Sequence, residues 1–154
     1  KNANRVYDIR QGKKLRAVIV LKTGEIVLSA ITAKTIKNRY LQYVDAVNMN
    51  STNNHYIDPF LEIGFDNYVL PDNVAAIFNP NSQPIIRLVK DAKINNRCFD
   101  IRQGKKTRSV LVLNSGEIVL SAIDTKTIQN RYLKYINKVN FYPGKETDGG
   151  ENDE

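Results

Sequence analysis

The stretch DIRQGKK, Asp8–Lys14, returns letter for letter at Asp100–Lys106. Extended outward, Arg5–Asn48 matches Arg97–Asn140 at a constant offset of 92, with 30 of 44 positions identical. Most of the other pairs are conservative, as at Val6/Cys98, Tyr7/Phe99, Ile19/Leu111 and Val44/Ile136. Self-similarity at a fixed offset marks a tandem duplication. The segment from Ile57 to about Asn96 has no counterpart ahead of Arg5. The order is therefore C-terminal half, joint, N-terminal half, C-terminal half. We expect the first unit to begin upstream of Lys1; the alternative is a first half that borrows its partner from elsewhere. The resulting division is 1–50, the C-terminal half of a first unit; 51–56, a polar, Asn-rich linker; 57–141, a complete second unit; and 142–154, an acidic tail.

Local patterns give each half its elements. VYDI and LRAVIVL are β-rich runs on either side of RQGKK, where Gly12 can supply a positive φ. RAVIVL and EIVLSAI flank a short turn at Gly24 and read as a hairpin, repeated around Gly116. Thr32 and Asp124 are good helix N-caps. Behind them Ile36, Tyr40, Tyr43, Val44 and Val47 recur at helical spacing, as do Ile128, Tyr132, Tyr135, Ile136 and Val139. In the N-terminal half, FLEIGFDNYVL and VAAIF read as strands around a PDN turn. A helix follows, with Ser82 as N-cap, Pro84 in its first turn, and Ile85, Leu88, Val89 and Ala92 on its inner face. One unit is then β-β-α-β-β-β-α, an α+β fold with a mostly antiparallel sheet.

Charge is the first functional clue. The 154 residues carry a net charge of +7, but Lys145–Glu154 holds five acids against one lysine, leaving +11 on the rest. A body this basic suits a polyanion, nucleic acid or an acidic membrane surface, although charge also serves solubility. Apolar residues make up 42%, enough for a core. The apolar runs are too short to cross a bilayer. The tail has no periodicity and is expected to be disordered. Cys98, the only cysteine, stands opposite Val6 in the repeat and reads as a small core residue.

Arg10, Lys13, Lys14 and Arg16, repeated as Arg102, Lys105, Lys106 and Arg108, pack four cations into seven residues. Such packing costs self-repulsion that a turn does not require. Phosphate contacts would relieve it and release counterions, and Gly12 and Gly104 would let the backbone come close. A merely solvated loop is the competing reading. Arg39 and Arg131 fit helix-face ion pairs better than phosphate contacts. The Tyr40/Tyr43 and Tyr132/Tyr135 pairs have core spacing more than that of a base-stacking platform. His55 sits in the linker and is assigned no chemistry. Catalytic patterns are poor: one His and one Cys argue against zinc, and neither a serine elbow nor a Walker loop occurs. We expect no enzyme, no metal and no cofactor.

Read from Ile63 to Leu133, the order of motifs resembles the RemA family of bacterial extracellular matrix regulators. IGFDNYV comes first, then NVAAIFNPNSQPIIRLVKDAK, then GKKTRSVLVLNSGEIVLSAIDTKTIQNR. The resemblance covers the full unit Ile57–Asn140 and the half unit Arg5–Asn48. It implies a small DNA-binding transcription activator that closes into a homo-oligomeric ring, with duplex DNA along a basic rim in a histone-like manner. Carried over by position, the DNA-contacting basic pair falls on Lys105–Lys106 and Lys13–Lys14. Family members commonly have Arg there; Lys keeps the charge without the planar fork. Another family arginine falls on Asn73. Pro84 matches a proline near the protomer interface. A ring of two-unit chains would need half as many chains.

The expected function is thus a cytoplasmic, nucleoid-associated DNA-binding regulator or architectural ring. The alternative is a structural assembly module whose basic rim binds RNA or a protein partner. The tail supplies a first test. Its acids can fold over a basic rim and compete with DNA through screened attraction. Deleting Lys145–Glu154 should tighten DNA binding, chiefly at low salt, as read by fluorescence anisotropy; unchanged affinity would leave the tail a solubilising appendage.

Overall fold

The structure is a computed structural model and describes residues 5–48 and 58–141. The linker 51–56 with His55, and the tail 142–154, lie outside the described residues. The first half runs β1 (Val6–Asp8), β2 (Ala17–Val20), β3 (Ile26–Ser29), α1 (Ala33–Asn48). The second unit runs β4 (Leu61–Gly64), β5 (Asn67–Val69), a 3-10 turn (Pro71–Asn73), β6 (Val74–Phe78), α2 (Gln83–Ile94), β7 (Cys98–Asp100), β8 (Ser109–Leu113), β9 (Ile118–Ser121), α3 (Thr125–Phe141). This is the expected α+β fold, with small and mostly antiparallel sheets.

Both copies build the same motif. The strand orders are β1-β3-β2 and β6-β8-β9-β7. Within each, the β2–β3 or β8–β9 hairpin is antiparallel, and β1 or β7 adds in parallel to the far side of the middle strand. The hairpin turns close through Gly24 and Gly116, at φ +92° and +94°, where a side chain would strain the backbone. Thr32 and Asp124 cap α1 and α3 as expected, accepting from the amides of Thr35 at 3.2 Å and Thr127 at 2.9 Å.

Two expectations are corrected. FLEIGFDNYVL is not one strand but the hairpin β4–β5. Gly64, Phe65 and Asp66 all take positive φ, and the Asn67 side-chain amide donates to the Gly64 carbonyl at 2.8 Å, so the chain reverses there. Leu88 is exposed, whereas Ala92, Ile85 and Val89 face the sheet. The single apolar stripe of α2 is narrower than its four apolar positions suggest. Ser82 stands at the start of α2 but makes no side-chain cap bond.

The core of the second unit lies on both faces of its sheet. On one side Leu111 and Val119 pack with Leu61, Ile63 and Ile128, under the β4–β5 hairpin and α3. On the other, Val110, Ile118 and Leu120 pack with Ala92 of α2, and Cys98 closes the edge of this cluster. Burial on both faces explains why SVLVL and EIVLS are nearly continuous apolar runs. The Ser121 hydroxyl donates to the Ile63 carbonyl at 2.7 Å and ties the hairpin to the sheet.

The first half presents the same strands without those covers. Val110 is 0% exposed, but its counterpart Val18 is 50% exposed, and Val6 and Val20 are exposed as well. Among the described residues, nothing stands where β6 and α2 stand in the second unit. The first half is held instead through α1, which meets the β4–β5 hairpin. Lys37 pairs with Asp58 at 2.6 Å and lies 4.7 Å from the Tyr68 ring centroid. Tyr40 meets Phe60 edge-on at 5.5 Å. The core spacing of Tyr40 and Tyr43 therefore does not bury them; both remain exposed, while Tyr132 and Tyr135 are half-buried.

Gly64 offers a direct test of this architecture. It has φ +118°, and a Cβ there would lie 3.4 Å from the Ile123 side chain. Gly64→Ala should cost about 1–3 kcal/mol in chemical denaturation from the backbone conformation alone.

Candidate phosphate-binding loops

Strand order dictates where the basic loops go. Because β3 lies between β1 and β2, the loop joining them is not a hairpin loop, as its flanking strands suggest, but an arch over the end of β3. The arch is pinned at both feet. Ile9 N–H donates to the Leu28 carbonyl at 3.1 Å and Arg16 N–H to the Ser29 carbonyl at 2.8 Å. In the second copy Ile101 donates to Leu120 at 3.2 Å and Arg108 to Ser121 at 2.9 Å.

At the crown sits a tight turn. Gln11 and Gly12 take φ +52° and +76°, and Gln103 and Gly104 take +52° and +78°. Lys13 N–H donates to the Arg10 carbonyl and Lys105 N–H to the Arg102 carbonyl, each at 3.1 Å. Two successive positive φ values with this bond make a type I′ turn. A Cβ on either glycine would meet nothing within 4 Å, so glycine is needed for conformation and not for space.

The four cations of each loop divide into two kinds. Arg10 turns back on Asp8, with Nε to Oδ1 at 2.9 Å and Nη2 to Oδ2 at 2.7 Å. Arg102 grips Asp100 in the same fork, and its Nη1 also donates to the Thr107 hydroxyl at 2.8 Å. These arginines brace the arch, which is not how their sequence context reads. The signal was present as an Asp-x-Arg spacing in both copies, and the bracing aspartates are the residues that a search for cations overlooks. Lys13, Lys14 and Arg16, with Lys105, Lys106 and Arg108, are exposed and form no ion pair among the described residues.

Other sequence candidates fall elsewhere. Arg131 Nη1 donates to the Glu62 carbonyl at 2.8 Å and lies 3.7 Å from its carboxylate, an ion pair from α3 to the hairpin. Arg39 is exposed on α1. Asn73 lies in the 3-10 turn, where its carbonyl accepts from the Asn114 amide at 2.8 Å. Pro84 is exposed near the start of α2. Among the described residues no group of His, Cys, Asp and Glu could hold a metal, and no helix is long and apolar enough to cross a membrane.

A family model described as extracellular matrix regulatory protein A-like, RemA-like, matches residues 1–40 and 60–132. The chain belongs to the RemA-like family. The matched ranges contain both braced arches and the whole β4-to-α3 core of the second unit up to Tyr132. Similar proteins include one from Maridesulfovibrio salexigens, 47% identical over 72 residues, covering 47% of this chain and 84% of that protein. Another, from Thermotoga neapolitana, is 40% identical over 87 residues, covering 56% and 89% respectively. A third, from Dictyoglomus turgidum, is 49% identical over 71 residues, covering 46% and 84%. Their names go no further than a regulatory role. These matches are 71 to 87 residues long, about half of this chain.

The Asp-Arg brace has a pH signature. The guanidinium of Arg10 holds the Asp8 carboxyl down at about 2, and that of Arg102 does the same for Asp100. An unfolded aspartate titrates near about 3.9, so the brace is complete above that pH and is lost as the pH falls through about 2. The Arg102 Nε–H resonance should respond to acid near pH 2 and not near 4. Asp100→Asn should abolish that response and speed exchange of the Lys105 amide without unfolding the sheet.

Proposed function

We propose that this RemA-like protein is a transcriptional regulator or architectural protein that binds duplex DNA through its arches within a homo-oligomer. The observation that carries this reading is the division of the cations. In each arch one arginine is paired with an aspartate, while Lys-Lys and a second arginine are exposed and form no ion pair among the described residues. Stiffening exposed like charges on a rigid type I′ turn lowers the entropy lost on contact with a phosphate. The lysines act as point charges, so they attract the backbone and do not read bases. Two such arches on one basic chain suit the regular phosphates of a duplex. A protein working in this way belongs with the nucleoid in the cytoplasm.

Self-association is supported by the chain's own internal junction. α1 of the first unit grips the hairpin of the second through Lys37 and Tyr40. The matching positions on α3, Gln129 and Tyr132, line an open groove of about 480 Å³ against β6. A contact that joins one unit's last helix to the next unit's hairpin is head-to-tail, and such contacts close into rings when the rotation allows. In that ring Pro84 lies near a protomer contact.

The test is a titration of duplex DNA and single-stranded RNA at several salt concentrations. Lys105→Ala with Lys106→Ala should weaken binding to all duplexes alike. It should flatten the plot of log affinity against log salt by about 0.9 for each phosphate that is no longer neutralised. Melting temperature and particle size should not move, since exposed loop substitutions usually cost under about 0.5 kcal/mol. DNA affinity equal to the parent's leaves Lys105 and Lys106 as solvated decoration, and the DNA reading is sunk if Lys13→Ala with Lys14→Ala is equally silent. Collapse of the oligomer transfers these lysines to a subunit interface. A preference for RNA over duplex favours the assembly-module alternative.

A further inference from the structure

The two arches match at every charged position, and two of the differences around them matter here. Leu15 stands where Thr107 stands, and Thr32 stands where Asp124 stands. Both differences bear on charge. The Thr107 hydroxyl accepts from Arg102 at 2.8 Å, so that guanidinium is held on three sides together with Asp100. Leu15 has no acceptor to offer, and Arg10 bonds only to Asp8 among the described residues. Asp124 begins the helix that leaves the foot of the second arch, three residues beyond Ser121, whose carbonyl pins Arg108. Bonds from Thr127 hold the Asp124 carboxyl below its ordinary range, and the nearby Arg108 adds to this. The group is therefore a full negative charge at neutral pH. Thr32 does the same capping work at the first arch without any charge.

We infer that the arches are unequal phosphate sites: Asp8–Arg16 is the stronger, and the carboxylate of Asp124 weakens Asp100–Arg108. The inference rests on the DNA-binding reading above and deepens it. A phosphate approaching the second arch meets Asp124 beside Arg108, so part of the attraction is cancelled. At the first arch the same approach meets a hydroxyl and a less engaged Arg10. DNA would then be gripped first and most firmly at one site per chain, with the second site the one that salt releases earlier.

Capping chemistry makes this testable without harming the fold, because Asn, Asp and Thr all cap helices well. Affinity of the full chain for a short duplex is measured by anisotropy at low salt. Four variants are compared with the parent: Asp124→Asn, Thr32→Asp, Lys13→Ala with Lys14→Ala, and Lys105→Ala with Lys106→Ala. Asp124→Asn should tighten binding roughly two- to fivefold and Thr32→Asp should weaken it by a similar factor, both shrinking as salt rises. The first lysine pair should cost more affinity than the second. If both lysine pairs matter equally and the two cap variants bind like the parent, the inequality is overturned while DNA binding through the arches stands. If neither lysine pair matters, the DNA reading itself fails and the inequality falls with it.

Discussion

The structure depends on the parallel pairing of β7 with β9, and of β1 with β3. Once the first strand of a half lies on the far side of the middle strand, the chain must cross that strand's end to reach the hairpin. The crossing is short, and both of its feet donate to carbonyls at the end of the middle strand. A connection so anchored has little freedom left. The type I′ turn and the Asp-Arg fork take up what remains. Placement of the exposed lysines is thus a consequence of sheet topology.

The same topology explains how cations can be crowded together on a short arch. Repulsion within Arg10–Arg16 is reduced because Asp8 neutralises one member at the base of the turn. The remaining charges splay outward from a backbone that does not have to reorganise. In the second copy the Thr107 hydroxyl also accepts from Arg102 and holds that guanidinium in place. Placing charge is therefore a matter of which neighbours surround it as much as of how many lysines the loop spells.

The duplication, the capped helices and the glycine turns were legible in the sequence because each is local. Gly24 and Gly116 are needed for one dihedral angle, and Thr32 and Asp124 for one hydrogen bond. What escaped was whatever depended on a distant partner. FLEIGFDNYVL alternates like a single strand, and only the φ values at Gly64, Phe65 and Asp66 reveal a reversal. Tyr40 and Tyr132 have nearly identical neighbours in sequence but different burial, since one sits at a junction and the other beside β6. Lys22 and Asn114 occupy equivalent turn positions. Asn114 donates to the Asp72 carbonyl at 2.7 Å and docks the 3-10 turn, a task with no equivalent beside Lys22 among the described residues.

That docking bond matters for how the chain chooses its own pairing. β6 and α2 lie in sequence between two nearly identical acceptors, Ala17–Ser29 and Ser109–Ser121. During synthesis the first of these acceptors is finished before the second exists, and β2 and β8 are similar candidate partners for β6. Apolar pairing alone discriminates poorly, because β2 and β8 offer almost the same side chains. The side-chain bond from Asn114 to Asp72 belongs to the later acceptor's neighbourhood. Lys22 cannot reproduce the Asn114 amide geometry. Asn114 is thus a divergent turn residue whose bonds set the second member of the duplicated pair apart from the first.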